Sequence, residues 1–236
     1  MTYLTKTLKF NSLWVLNVPL LFSLSGHTSL SAQARERNEL GVKPNREFVL
    51  YSIADSARRM LENGKTVEVQ NICNNAIDTF YRGQDSKYFA YIFSDKASIY
   101  RRLGNYFLSN KCYLFSNNNA SLFGEKVLIA SNYNNIGTLF SLSHRFEEAK
   151  KLFWFLVNDT SGVTNDLIIT SALMNLADIA NQENDLSRGG ALFYQLANNV
   201  NIDNVFIFER NFGRFLIKTN KKDSAYIHFK IALKES

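Results

Sequence analysis

From residue 45 onward apolar residues return every three or four positions, the spacing that lines one face of an α-helix, and the whole chain holds only two prolines to interrupt it. The stretch NNIGTLFSLSHRFEEAKKLF, Asn134 to Phe153, shows the unit: one apolar face containing Gly137 and Phe140, a break at His144, then a second face with Ala149 and Phe153. Similar slots recur about every 40 residues, at Ala57, Met60, Gly64, Val69 and Cys73, and at Ala97, Tyr100, Gly104, Ser109 and Tyr113. Later copies are Ala177, Ala180, Asn184, Gly189 and Phe193, then Gly213, Leu216, Asn220, Ala225 and Phe229. The pattern predicts five helix-turn-helix units near 46–82, 86–118, 122–159, 165–199 and 203–235, and no strands.

The slots have a physical sense. A small residue in the first helix of a pair (Ala57, Ala97, Gly137, Ala177, Gly213) and another in the second let two antiparallel backbones approach, while the large residue one turn further on fills the next gap. The turn slot holds Gly, Gly, His, Asn and Asn, residue types that tolerate the left-handed conformation where a helix stops. The polar stretches Ser116 to Ser121 and Asn158 to Asn165 read as connections between units. One pair cannot bury its apolar face alone, so the units must stack into a superhelical solenoid.

The run Tyr133, Asn135, Ile136, Gly137, Phe140, Phe146, Ala149, Phe153 resembles the tetratricopeptide repeat, and Phe212-Gly213 through Ala225, Phe229 and Ala232 is the next best match. The sequence departs from that family at Val69, where Ala is usual, and at Lys96, where Leu is usual; the closing proline is absent and the repeat is longer. The resemblance implies an all-α, right-handed solenoid of about five antiparallel helix pairs. It also implies a concave surface, lined by the first helices, that receives an extended peptide or a partner's helix.

Composition adds a soluble-domain frame. At 46% hydrophobic and 20% charged, the chain of 236 residues has material for a core or a row of small ones. The formal charge of +6 is scattered among acidic neighbours, so nucleic acid is not the expected partner. The N-terminus differs: Lys6 and Lys9 precede an apolar run, Leu13 to Leu24, broken by Asn17 and Pro19 and followed by small and polar residues to Ala32-Gln33-Ala34. That layout predicts a secretory signal over 1–34, cut after Ala32 or Ala34, and the run is about half the ~20 residues that cross a bilayer. The expected location is the periplasm or cell envelope.

Catalytic signals are missing: no phosphate loop or nucleophile motif appears, and His27, His144 and His228 lack neighbours at metal-ligand spacing. The expectation is a non-enzyme without cofactors. Cys73 and Cys112 fall on successive second helices; an exported chain can oxidise such a pair, but Cys73 occupies a large-residue core slot, which favours a buried thiol.

By the same resemblance, the slot two residues before the small residue of the first helix faces the groove, and it holds Asp55, Asp95, Asn135, Asn175 and Asn211. A row of amides pairs with a peptide backbone whatever its sequence; the competing reading makes these residues solvated or helix-to-helix bonding groups. Arg58, Arg101, Arg102, Arg210 and Arg214 would add positive charge near that surface, and Tyr51 and Tyr91 aromatic contact at one end, so an acidic group or free carboxylate is the natural guest. The last helix, from Asp223 to Lys234, still carries Ile227, Phe229, Ile231, Ala232 and Leu233, which points to docking of a second copy, of a partner, or of further residues beyond Ser236. The reading is therefore a peptide-binding scaffold of the bacterial envelope, with the sensory portion of a membrane-bound regulator as the alternative.

Overall fold

A helix that is amphipathic but short must find a partner, and in this chain each finds one through a tight turn. The computed structural model describes residues 45–82, 86–159, 166–198 and 205–235; the expected signal over 1–34 and its cleavage points lie outside them. Among the described residues there are ten helices and no strand. They are α1 (Arg46–Glu62), α2 (Thr66–Phe80), α3 (Lys87–Arg102), α4 (Tyr106–Leu122), α5 (Lys126–Leu142), α6 (Phe146–Val157), α7 (Asp166–Gln182), α8 (Leu186–Ala197), α9 (Val205–Lys218) and α10 (Lys222–Lys234). Consecutive odd and even helices pack as pairs, here called A and B, and each pair packs on the next.

The turns inside the pairs are chemically specified. Gly64, Gly104, His144, Asn184 and Asn220 all adopt positive φ, between 56° and 75°. The residue after each donates its backbone N–H to a carbonyl five residues back, as from Arg145 to Phe140 and from Asp185 to Ala180, which closes the helix end. Starts are capped too: the side chains of Asn45, Ser86, Asn105 and Asp185 accept from Phe48, Tyr88, Leu108 and Arg188.

The stretch Ser116 to Ser121, expected as a connection, is instead the second half of α4, and the turn comes later, at Gly124 with φ 68°. Three of its polar side chains bond within the molecule. Ser116 Oγ donates to the Ala90 carbonyl at 2.6 Å, Asn119 Nδ2 to Phe115 at 2.9 Å and Ser121 Oγ to Asn117 at 2.8 Å. Burial against α3 and α5 thus overrides the weak helix preference of Ser and Asn.

Packing within a pair is a ring in a hole. At Gly137 a Cβ would lie 2.7 Å from the Phe153 ring, and at Gly213 2.8 Å from the Phe229 ring. The small A residue therefore makes room for the large B residue rather than for the small one. The small B slot faces the A backbone: a Cβ at Gly189 would lie 3.7 Å from the Ala177 carbonyl oxygen, and Ser109 Oγ donates to the Ala97 carbonyl at 2.8 Å. Ala57, Ala97, Ala177, Ala149, Ala225, Phe153 and Phe193 are buried, and Phe229 is half-buried.

Candidate functional site

Because each A helix packs on the A helix of the next pair, bonds between them span one repeat, and the polar side of the row is largely made of such bonds. Arg58 on α1 donates Nε and Nη2 to Asp95 Oδ1 on α3 at 3.0 and 2.9 Å. Asp95 is only 2% exposed, and desolvation holds its carboxyl above the usual aspartate range against the pull of Arg58. Ser94 on α3 donates to Asn132 on α5 at 2.8 Å, and Asn175 on α7 donates to Asn134 on α5 at 3.4 Å.

Two cations repeat a single role. Arg102 Nη1 donates to the Leu61 carbonyl at 3.0 Å, and Lys218, in the same repeat slot on α9, donates Nζ to the Asn181 carbonyl at 2.5 Å. Each closes the C-terminal end of the preceding A helix, where positive charge is favoured. Burial, then the neighbouring Arg101, lowers the pKa of Arg102. These contacts lie 41 and 37 residues apart in sequence, and only the repeat register makes them foreseeable.

The remaining groove candidates divide by how much bonding they have left. Tyr91 donates its hydroxyl to Glu125 Oε2 at 2.7 Å, and burial, then this bond, pushes its phenol up. Tyr51 is buried edge-on to Tyr88, with ring centroids 5.7 Å apart, and Arg101 is buried. Asp55 forms an ion pair with Arg59 one turn along the same helix. Asn211 accepts from Arg210 of its own helix at 3.2 and 3.3 Å, and burial, then the charge of Arg214, lowers the Arg210 pKa.

Asn135 and Arg214 are the freest of the set. Asn135 is half-buried and, among the described residues, no hydrogen bond reaches its side chain. Arg214 is exposed, and its ion pair with Asp178 on α7 is loose, at 3.9 Å. On α5 and α7 the buried oxygens Thr138 Oγ1, Ser171 Oγ and Asp178 Oδ1 receive no hydrogen bond among the described residues. The spacing of asparagines therefore does not translate into one ladder of equivalent amides: Asn175 and Asn211 are committed inside the molecule, and Asn135 is not.

Among the described residues no group of three or more His, Cys, Asp and Glu is placed to hold a metal ion, and no helix is long and apolar enough to cross a membrane. His228 Nδ1 lies 2.5 Å from Glu209 Oε2, joining α10 to α9. Cys73 and Cys112 are both buried free thiols.

A row of helix pairs with one polar side is, in architecture, an all-α helical-repeat protein. Its fold is similar to the crystal structure of BtubC (BKLC) from P. vanneervenii, with a TM-score of 0.59 over 89% of this chain and 88% of that one, at 17% sequence identity. No family model matches the chain, and no curated protein matches it.

Proposed function

We propose that this chain is a tetratricopeptide-like, non-catalytic scaffold of the cell envelope that receives a peptide or protein segment along its A helices. The observation that carries the reading is the unused bonding capacity on α5 and α9: the half-buried amide of Asn135 and the exposed guanidinium of Arg214. An amide with donor and acceptor to spare suits a peptide backbone, and an arginine with one loose partner suits a carboxylate. The ring-in-hole pairs, Gly137 with Phe153 and Gly213 with Phe229, support the repeat resemblance because they sit at its small and large slots. The expected leader, with Lys6, Lys9 and the run Leu13 to Leu24, supports export.

The test is fluorescence anisotropy of the full chain with a labelled random-sequence peptide library, each member made both with a free C-terminal carboxylate and as the amide. Carboxylate-bearing members are expected to bind. Asn135→Ala or Arg214→Glu should weaken them at least tenfold, about 1.4 kcal/mol, without changing the helical circular-dichroism signal. No binding by any member at about 1 mM, or binding indifferent to both substitutions, ends the reading. Export is tested separately by fusing residues 1–40 to a reporter active only outside the cytoplasm; an inactive fusion removes the envelope from the proposal.

A further inference from the structure

The outer face of α4 is apolar where a mid-row helix should be wet. Phe107 is 68% exposed, Leu122 59%, and Leu114 and Phe115 48% each. At 3.6 residues per turn these four share an arc of about 120° with Lys111, Asn118 and Ser121, which are also exposed. The stripe runs about 22 Å along the helix. Because α4 packs on α3 and α5 with its other faces, stacking of repeats does not cover this one.

The order of residues along the stripe is self-complementary. When α4 is laid against its own copy in the opposite direction, Phe107 falls opposite Leu122, Lys111 opposite Asn118 and Leu114 opposite Phe115, and the reverse contacts repeat these three. A parallel copy would set Lys111 on Lys111, the only charged side chain of this helix. An isologous two-fold contact requires this kind of palindrome, because one patch must serve both sides.

We infer that the α4 face is the seat of a second copy of this chain, packed antiparallel about a two-fold axis passing between Leu114 and Phe115. The side chains are set in advance: Phe115 stacks on Phe93 with centroids 5.6 Å apart, and Lys111 Nζ lies over the Phe107 ring at 4.6 Å. Prior ordering lowers the entropy lost on association. In the pair, each Lys111 reaches the side-chain oxygen of the opposite Asn118. A lipid surface is the poorer occupant, since one lysine on the helix gives little attraction to anionic headgroups. The exposed face of α10, with Tyr226, Ile227 and Leu233, is the poorer self-contact: an antiparallel pair centred on His228 sets Lys222 against Lys234.

The experiment is sedimentation velocity on the full chain, with oxidative cross-linking of single-cysteine additions. A dimer mass is expected for the parent, and a monomer mass for Phe107→Asp/Leu114→Asp with an unchanged helical spectrum. Leu114→Cys should give a covalent dimer on a non-reducing gel, Phe107→Cys should not, and Phe107→Cys/Leu122→Cys should again; the parent, with Cys73 and Cys112 buried, sets the background. A monomer at every concentration up to the solubility limit overturns the inference. So does a dimer lost with Ile227→Asp but kept in the doubly charged α4 variant, a covalent dimer through Phe107→Cys alone, or a monomer that co-sediments with phosphatidylglycerol vesicles and loses that property with Phe107→Asp.

Discussion

Gly137, Gly213 and Gly189 occupy comparable helical positions, yet a methyl group added to each meets different matter. At Gly137 it meets the Phe153 ring at 2.7 Å, and Phe153 is fully buried, so the ring has nowhere to go. Gly137→Ala is expected to cost about 1–3 kcal/mol in chemical denaturation. Gly213→Ala should cost less, because the half-buried Phe229 can tilt toward solvent. Gly189→Ala should stabilise by up to about 1 kcal/mol, since its nearest neighbours stand at an ordinary 3.7 Å and the helix preference for alanine is gained. A reversed order of Gly137 and Gly189 would contradict the ring-in-hole packing. A second residue-scale expectation concerns Cys73, where desolvation first, then the charge of Asp95, pushes the thiol up to about 12. Neither burial nor that pKa favours the thiolate, so Cys73 should resist a maleimide near pH 8 and react only on unfolding, read by peptide mass.

At the scale of the element, helix ends were legible in the sequence and helix lengths were not. The turn slots announce themselves because left-handed backbone restricts the residue to Gly, Asn or a tolerated His. The length of α4 was hidden because Ser and Asn read alike in a loop and in a buried seam, and only their partners on α3 and α5 distinguish the two. The same holds for Arg58 and Asp95, which sequence placed on a groove and the fold joins as a buried pair. Arg58→Ala should leave a carboxylate stranded and cost about 3–5 kcal/mol near neutrality. The sign with pH follows from the raised carboxyl of Asp95. The folded chain holds that proton more tightly than the unfolded chain, so stability falls as pH rises from the ordinary aspartate value of about 4. Without Arg58 the effect grows, so the deficit of the variant against the parent should shrink between about pH 8 and about pH 5, as followed by urea midpoints. A deficit that widens on acidification would show that the pair acts otherwise.

At the scale of the whole molecule, the apolar core of the described residues falls into three clusters. One cluster joins α1, α2 and α3 and reaches Ala120 on α4 and Leu128 on α5, a larger one runs from Ala130 on α5 to Ala225 on α10, and a small bridge of Ala97, Cys112, Tyr113, Ile136 and Leu139 lies between them. At that junction polar bonding joins the apolar contact: Asn132, fully buried on α5, accepts from Ser94 at 2.8 Å and donates to Ser116 at 2.7 Å and to Asn117 at 2.8 Å. Repeat arrays unfold together only while the coupling between neighbours exceeds the difference in their own stabilities. Here the larger cluster sits on the C-terminal side and the seam adds hydrogen bonds to a thinner apolar contact, so the first two pairs should melt before the last three. The chain supplies its own reporter, because Trp154 lies on α6 and the other of its two tryptophans is Trp14. In a Trp14→Phe background, urea should diminish the far-ultraviolet helical signal at a lower concentration than it shifts Trp154 emission. Asn132→Ala leaves Ser94 and Asn117 without their partner, at about 1–3 kcal/mol, and should widen the gap between the two midpoints. Coincident transitions in both proteins would mean that the seam couples the halves as tightly as an apolar core, and that the row behaves as one cooperative unit.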